Sequence, residues 1–190
     1  RQMCIRDRYP EIQFSLKMRL GWENASECMV LVELLNTLRL SRIALHARTG
    51  KQQYKGHPDL EAFQGFYELC QHPLYYNGDI ESLSDIRQIL TRFPLLKGVF
   101  IGRGLLSSPL LAKEFKGNET FLPEQRMSIY FAFHEELFSA YSQVLQGETQ
   151  LLVKMKTLWE YFLPETDRKL LKRIKKSTRL QQYTESVKAI

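Results

Sequence analysis

With 190 residues, 44% apolar and 25% charged, the chain has an ordinary globular composition and room for one domain or two small ones. No apolar run approaches the ~20 residues that cross a bilayer, and nothing at the start has the form of a secretion signal. The three cysteines, Cys4, Cys28 and Cys70, make neither a disulfide framework nor a zinc knuckle, so the expectation is a cytoplasmic protein without membrane or metal.

The net charge is +6, and residues 166–190 carry all of it, with eight basic side chains against Asp167 and Glu185. A localised basic cluster is the footprint of a polyanion partner, with a solvated helix face as the plain alternative. Residues 1–8 (RQMCIRDR) have no apolar period and resemble a translated sequencing-adapter remnant. They are read as a non-native leader.

Residues 9–116 repeat one unit, a short apolar strand, a polar turn and an amphipathic helix. The first strand is expected at 12–20, followed by a helix whose apolar positions are Met29, Val30, Leu34, Leu35 and Leu38. The second strand, 42–46, opens a long polar loop, 47–58. Asp59 then starts a helix to about residue 71. The third strand, 74–76, turns at Asn77-Gly78-Asp79, where glycine permits positive φ, and a helix over 82–92 follows. The fourth strand, 98–101, ends in Gly102-Arg103-Gly104 before a short helix near 109–115. Cys28 and Cys70 fall in apolar helical patterns and are read as core.

Past a linker at 117–120 the pattern is helical only, over 124–146, 150–162, 166–176 and 179–189. Pro123 suits a helix start, and Gly147 is expected as the glycine ending the long helix. Residues 121–190 are therefore expected to be an all-α bundle.

The strand-end residues Lys17, His46, Asn77 and Gly102 lie 29, 31 and 25 residues apart. That spacing suits successive βα units of a parallel sheet, whose functional groups gather at the C-terminal strand ends. Half of an eight-fold barrel and a doubly wound sheet share this signature.

Four clusters stand at those ends. Lys17 and Arg19 share one strand face and call for an anionic or electron-rich partner. His46 and Arg48 precede a donor-rich loop holding Lys51, Gln52, Gln53, Tyr54 and Lys55. The Asn77-Gly78-Asp79 turn can aim backbone N–H groups at an anion. Gly102 allows close backbone approach, Arg103 can grip a phosphate bidentately, and a short helix near Ser107 adds a positive N-terminus. Each cluster has a plain alternative: a solvated edge lysine, a satisfied histidine, an ordinary turn. Together they point to a cofactor bearing a phosphate.

The segments SLKMRLGW (15–22), LHARTGKQQYKG (45–56), YYNGDI (75–80) and VFIGRGLLSSP (99–109), in this order and spacing, resemble the motifs of the tRNA-dihydrouridine synthases. The resemblance spans about 11–115 and continues loosely through KMKTLWEYF (154–162). It implies an α/β fold: strands 5–8 of a TIM-type (β/α)8 barrel that binds FMN, then a helical tRNA-binding domain. Lys17 would contact the flavin ring and His46 the flavin. Asn77, Gly78 and Asp79 with Gly102 and Arg103 would hold ribityl and phosphate. Arg48, Tyr54 and Lys55 would face substrate RNA, as would Lys172, Arg173, Lys175 and Lys176 of the basic tail. The implied reaction reduces the C5–C6 bond of a tRNA uridine with NADPH as electron donor, in a monomer when full length.

Two departures stand out. Ala47 occupies a position where the family often has Gly or Pro, and the family's cysteine general acid has no counterpart here, because Cys28 and Cys70 lie on helices. The chain is accordingly expected to lack the first half-barrel and to be inactive alone. Another FMN barrel oxidoreductase, a non-flavin barrel acting on sugar phosphates and a non-catalytic RNA-binding fragment are the competing readings.

Overall fold

The computed structural model describes Ile5 and residues 8–190, so the expected leader, with Cys4, lies largely outside the described residues. The chain divides into two compact units, one ending at Ile101 and one spanning Gly102–Ile190. This division falls before Gly102-Arg103 rather than at the 117–120 linker.

In the first unit the order is β1 (Ser15–Gly21), α1 (Glu27–Thr37), β2 (Arg42–Thr49), α2 (Leu60–Leu69), β3 (Leu74–Asn77), α3 (Leu83–Arg92) and β4 (Gly98–Phe100). The strands form one parallel sheet in sequential order β1-β2-β3-β4. No reversal of strand order, the mark of a doubly wound sheet, occurs within these four strands.

The sheet's two faces differ because side chains alternate along each strand. Leu20, Ile43, Leu45, Ala47, Leu74 and Tyr76 are buried on one face. Phe63 of α2 meets Tyr76 edge-on at 5.1 Å and Phe93 at 5.0 Å. Such aromatic pairs add about 0.5–1.5 kcal/mol each beyond the area they bury.

Local chemistry sets the helix starts. Asp59 accepts from the Ala62 N–H, an N-cap worth about 1 kcal/mol. Ser82 and Asp85 form a reciprocal capping box at α3. Helix α1 departs from the expected pattern. It buries Cys28, Val32 and Leu35, whereas Val30 and Leu34 are 82% and 59% exposed. With seven apolar residues in eleven, α1 offers two overlapping stripes, and the described fold buries one of them and leaves Val30 and Leu34 of the other exposed. Cys28 is buried as expected, whereas Cys70 is the half-buried C-cap of α2.

The second unit contains α4 (Arg103–Ser107), α5 (Leu111–Gly117), α6 (Pro123–Val144), α7 (Glu148–Leu158), α8 (Arg168–Lys176) and α9 (Leu180–Val187). Pro123 occupies the first turn of α6, where its missing N–H costs nothing. Gly147 does not close α6, whose C-cap is Leu145. It is the N-cap of α7 with φ +86°, a backbone shape L side chains avoid. The unit's core gathers Tyr130, Leu151, Leu152, Met155, Trp159, Phe162, Ile174, Tyr183 and Val187. At its centre the Tyr183 hydroxyl accepts from Trp159 Nε1 at 2.8 Å and lies 2.6 Å from His134 Nε2. Glu114, 4% exposed, pairs with Arg126 and so ties α5 to α6.

Candidate active site

The strand register builds the site. Arg19 is paired with His46, His46 with Asn77, and Asn77 with Phe100, giving one row across the C-terminal ends of all four strands. Two residues earlier on the same face, Lys17, Ala44, Tyr75 and Gly98 form the next row. Lys17, His46 and Asn77 are thus brought onto one face. Ala44 and Gly98 keep its floor low beside the Tyr75 and Phe100 rings, which lie 5.4 Å apart.

His46 is the electrostatic centre of the row. Burial, then the charges of Arg19, Lys17 and Arg48, pull its pKa down to about 4, with Asp79 opposing. It is therefore neutral at physiological pH and can both donate and accept a hydrogen bond. Lys17 is exposed at the edge of the row. Arg19, expected to share a cofactor's charge with Lys17, has protein partners. It donates to the carbonyls of Thr49 at 2.7 Å and Gln53 at 3.2 Å, and it lies 5.9 Å from the centre of the Tyr54 ring. Tyr54 is 62% exposed, and its ring centre is 6.5 Å from that of His46.

The loops above the row are stitched together. Glu27 accepts from the backbone N–H groups of Trp22, Glu23 and Asn24, which holds its carboxyl below the usual range. Gly50 and Lys51 donate to the carbonyls of Gly21 and Trp22, and Lys51 pairs with Glu23. Gln52 closes the next loop onto the carbonyls of Lys55 and His57. Asn77 Nδ2 donates to the Phe100 carbonyl at 2.9 Å.

Two residues stand differently from their expected roles. Arg48, expected to face RNA, is fully buried, with its guanidinium bonded to the carbonyls of Lys55 and Gly56 and paired with Asp79. The Asp79 carboxylate, expected among the cofactor contacts, is the partner of that buried charge. Gly78 does not use positive φ. It is glycine because a Cβ there would stand 2.0 Å from the Tyr76 hydroxyl.

In the second unit, Gly102 is the N-cap of α4, which starts at Arg103 and precedes the short helix expected near 109–115, observed as α5. Among the described residues nothing lies within 4 Å of where a Gly102 Cβ would point, so its backbone is open to a ligand. The basic tail forms a groove of about 450 Å³ between α8 and α9, lined by Lys169, Lys172, Arg173, Lys176 and Gln182 among others. Three of the four expected basic residues line it, Lys175 does not, and Lys169 joins them. The signal for Lys169 is in the sequence, since 169, 172, 173 and 176 share one helix face by spacing.

The described residues include no group of His, Cys, Asp or Glu able to hold a metal, and no helix long and apolar enough to cross a membrane. The family model for dihydrouridine synthase (Dus) matches residues 5–189. The chain belongs to the dihydrouridine synthase family. It is 36% identical over 105 residues to a probable tRNA-dihydrouridine synthase of Aquifex aeolicus (strain VF5), covering 55% of this chain and 33% of that one. It is 35% identical over 100 residues to a probable tRNA-dihydrouridine synthase of Rhizobium leguminosarum bv. phaseoli, covering 52% and 31%. The tRNA-dihydrouridine(16) synthase of Escherichia coli (strain K12) is 27% identical over 122 residues, covering 63% and 38%. The matched region thus spans about a third of each dihydrouridine synthase relative.

Proposed function

We propose that this chain is the C-terminal part of an FMN-dependent tRNA-dihydrouridine synthase of the cytoplasm, strands 5–8 of its (β/α)8 barrel and its helical RNA-binding domain. The observation that carries the reading is the row Arg19–His46–Asn77–Phe100, with Lys17 on the same face, at the C-terminal ends of parallel strands in sequential order. Ligands of α/β barrels sit at those ends. The sequential strand order and the apolar residues Val30, Leu31 and Leu34 exposed on α1, beside the edge strand β1, support a barrel that continues past this sheet.

The residues fit FMN. A neutral imidazole that both donates and accepts suits a flavin ring edge, and the open backbone at Gly102 suits a phosphate. When bound, FMN would supply the hydride for C6 of the uridine, the proton for C5 would come from the family's cysteine general acid, which has no counterpart in this chain, and NADPH would be the electron donor that reduces the flavin again. Lys17 is assigned to the ring, where its cation favours the reduced, anionic form. His46 holds a ring edge. Asn77, Gly78, the Asp79 backbone, Gly102 and Arg103 are assigned to ribityl and phosphate. Tyr54 and Lys55 face the RNA at the strand ends, and Lys169, Lys172, Arg173 and Lys176 hold tRNA phosphates in the groove.

The test uses the full-length protein, this chain with the upstream sequence of its relatives. It is expected to purify with a flavin spectrum, and unmodified tRNA is expected to accelerate NADPH oxidation where a panel of small acceptors does not. Flavin with a preference for a small acceptor would favour a different FMN oxidoreductase. RNA binding without flavin would favour a non-catalytic fragment.

A further inference from the structure

Loop 50–57 follows β2 and carries Tyr54 and Lys55, yet it contains no regular element to hold it. Besides the Gln52 side chain and the Gly50 and Lys51 N–H groups, two arginines rooted in the sheet hold its backbone. From β1, Arg19 takes the carbonyls of Thr49 and Gln53. From β2, Arg48 takes the next pair, Lys55 at 2.7 Å through Nη1 and Gly56 at 2.8 Å through Nη2, and pairs with Asp79 beyond β3. Nε of Arg48 finds no acceptor among the described residues, so the guanidinium is held through its terminal nitrogens alone.

A fully buried guanidinium is costly unless it is paired and hydrogen-bonded. A merely structural cation would be replaceable by an apolar residue of similar volume. Arg48 does something an apolar residue cannot. Its planar fork reaches the loop through both terminal nitrogens and, through Nη2, also the Asp79 carboxylate in the turn after the next strand, 31 residues from Arg48 in sequence. The loop's exposed Tyr54 ring, near His46 and Arg19, then has a fixed position above the row. A fixed exposed aromatic ring is a platform on which a nucleobase stacks at low entropic cost.

We propose that Arg48 is a positioning residue: by clamping the Lys55 and Gly56 carbonyls to Asp79 it presents Tyr54 as a preformed stacking surface for a base of the substrate RNA. The proposal rests on the reading of the strand ends as the uridine site. It predicts that Arg48→Lys, which keeps the charge but cannot span three acceptors, loosens residues 50–57 while the rest of the first unit stays closed. Amide hydrogen exchange of the flavin-loaded full-length protein should show at least about tenfold faster exchange there. KM for tRNA should rise by about tenfold or more, with kcat changed less than about threefold and flavin content unaltered. Asp79→Asn, on the half-buried side of the pair, should loosen the same segments by a smaller factor, and it decides the matter if the lysine variant does not fold. Tyr54→Ala should raise KM without changing exchange.

Unchanged exchange at 50–57 in Arg48→Lys would overturn the proposal, as would acceleration across the whole first unit or loss of flavin. If tRNA proves not to be a substrate, the functional reading fails, and the proposal's stacking role fails with it. The exchange comparison still shows whether Arg48 holds the loop.

Discussion

Removing one oxygen from the core of the second unit should cost more than its size suggests. Trp159 Nε1 can only donate, and it donates to the Tyr183 hydroxyl at 2.8 Å. The phenol proton then has His134 Nε2, 2.6 Å away, as its acceptor, which requires a neutral imidazole protonated on Nδ1. Burial lowers the His134 pKa and favours that form, with Glu135 opposing. Tyr183→Phe leaves an indole N–H and an imidazole nitrogen buried without partners. At about 1–3 kcal/mol for each unsatisfied group, and with partial relaxation, the loss should be about 2–4 kcal/mol. Trp159, 1% exposed, reports on this core, whereas Trp22 is 65% exposed. Denaturant unfolding followed by fluorescence in a Trp22→Phe background therefore isolates the second unit. Tyr161→Phe, at a partly exposed ring, is the control and should change stability by less than about 0.5 kcal/mol. The pH dependence has a definite sign. With the folded pKa of His134 below the unfolded value of about 6.5, the unfolded chain binds more protons, and stability is lost as pH falls below that value. A Tyr183→Phe cost under about 0.5 kcal/mol, or stability rising on acidification through this range, would refute the hydrogen-bond assignment.

Other expectations concern ligands. In the full-length protein, Arg103→Ala should weaken FMN binding by about 1.5–3 kcal/mol, the loss expected for a charge-assisted hydrogen bond, and flavin titration measures it directly. Lys17→Ala should slow flavin reduction and turnover more than it lowers flavin content, as stopped-flow reduction alongside absorbance would show. Replacing Lys172, Arg173, Lys175 and Lys176 with Gln should flatten the salt dependence of tRNA affinity. With about four phosphate contacts, doubling the salt should weaken the original protein roughly tenfold, and equal slopes would reduce the tail to a solvated helix face.

The strand ends were legible because their polar residues recur at a period that only successive βα units explain, and the sheet joins Lys17, His46 and Asn77 on one face as alternation requires. Arg48 was not legible. A charged residue two positions after His46 reads as a ligand contact. Its burial depends on Asp79, which only the parallel register brings near. Gly78 was legible as a constrained position but for the wrong cause, because a ring hydroxyl two residues earlier is invisible to turn chemistry. Lys169 could have been found, since the spacing of 169, 172, 173 and 176 marks one helix face. The buried stripe of α1 could not, since leucines and valines surround most of that helix and tertiary packing chose among them.

The most direct measurement is the product. Unmodified tRNA is incubated with the flavin-loaded full-length protein and NADPH, digested to nucleosides and analysed by mass spectrometry. The account predicts a uridine that has gained two hydrogens at its C5–C6 bond, with much less of it formed by Lys17→Ala. Flavin-dependent NADPH oxidation in the presence of tRNA that leaves every uridine unreduced would contradict it.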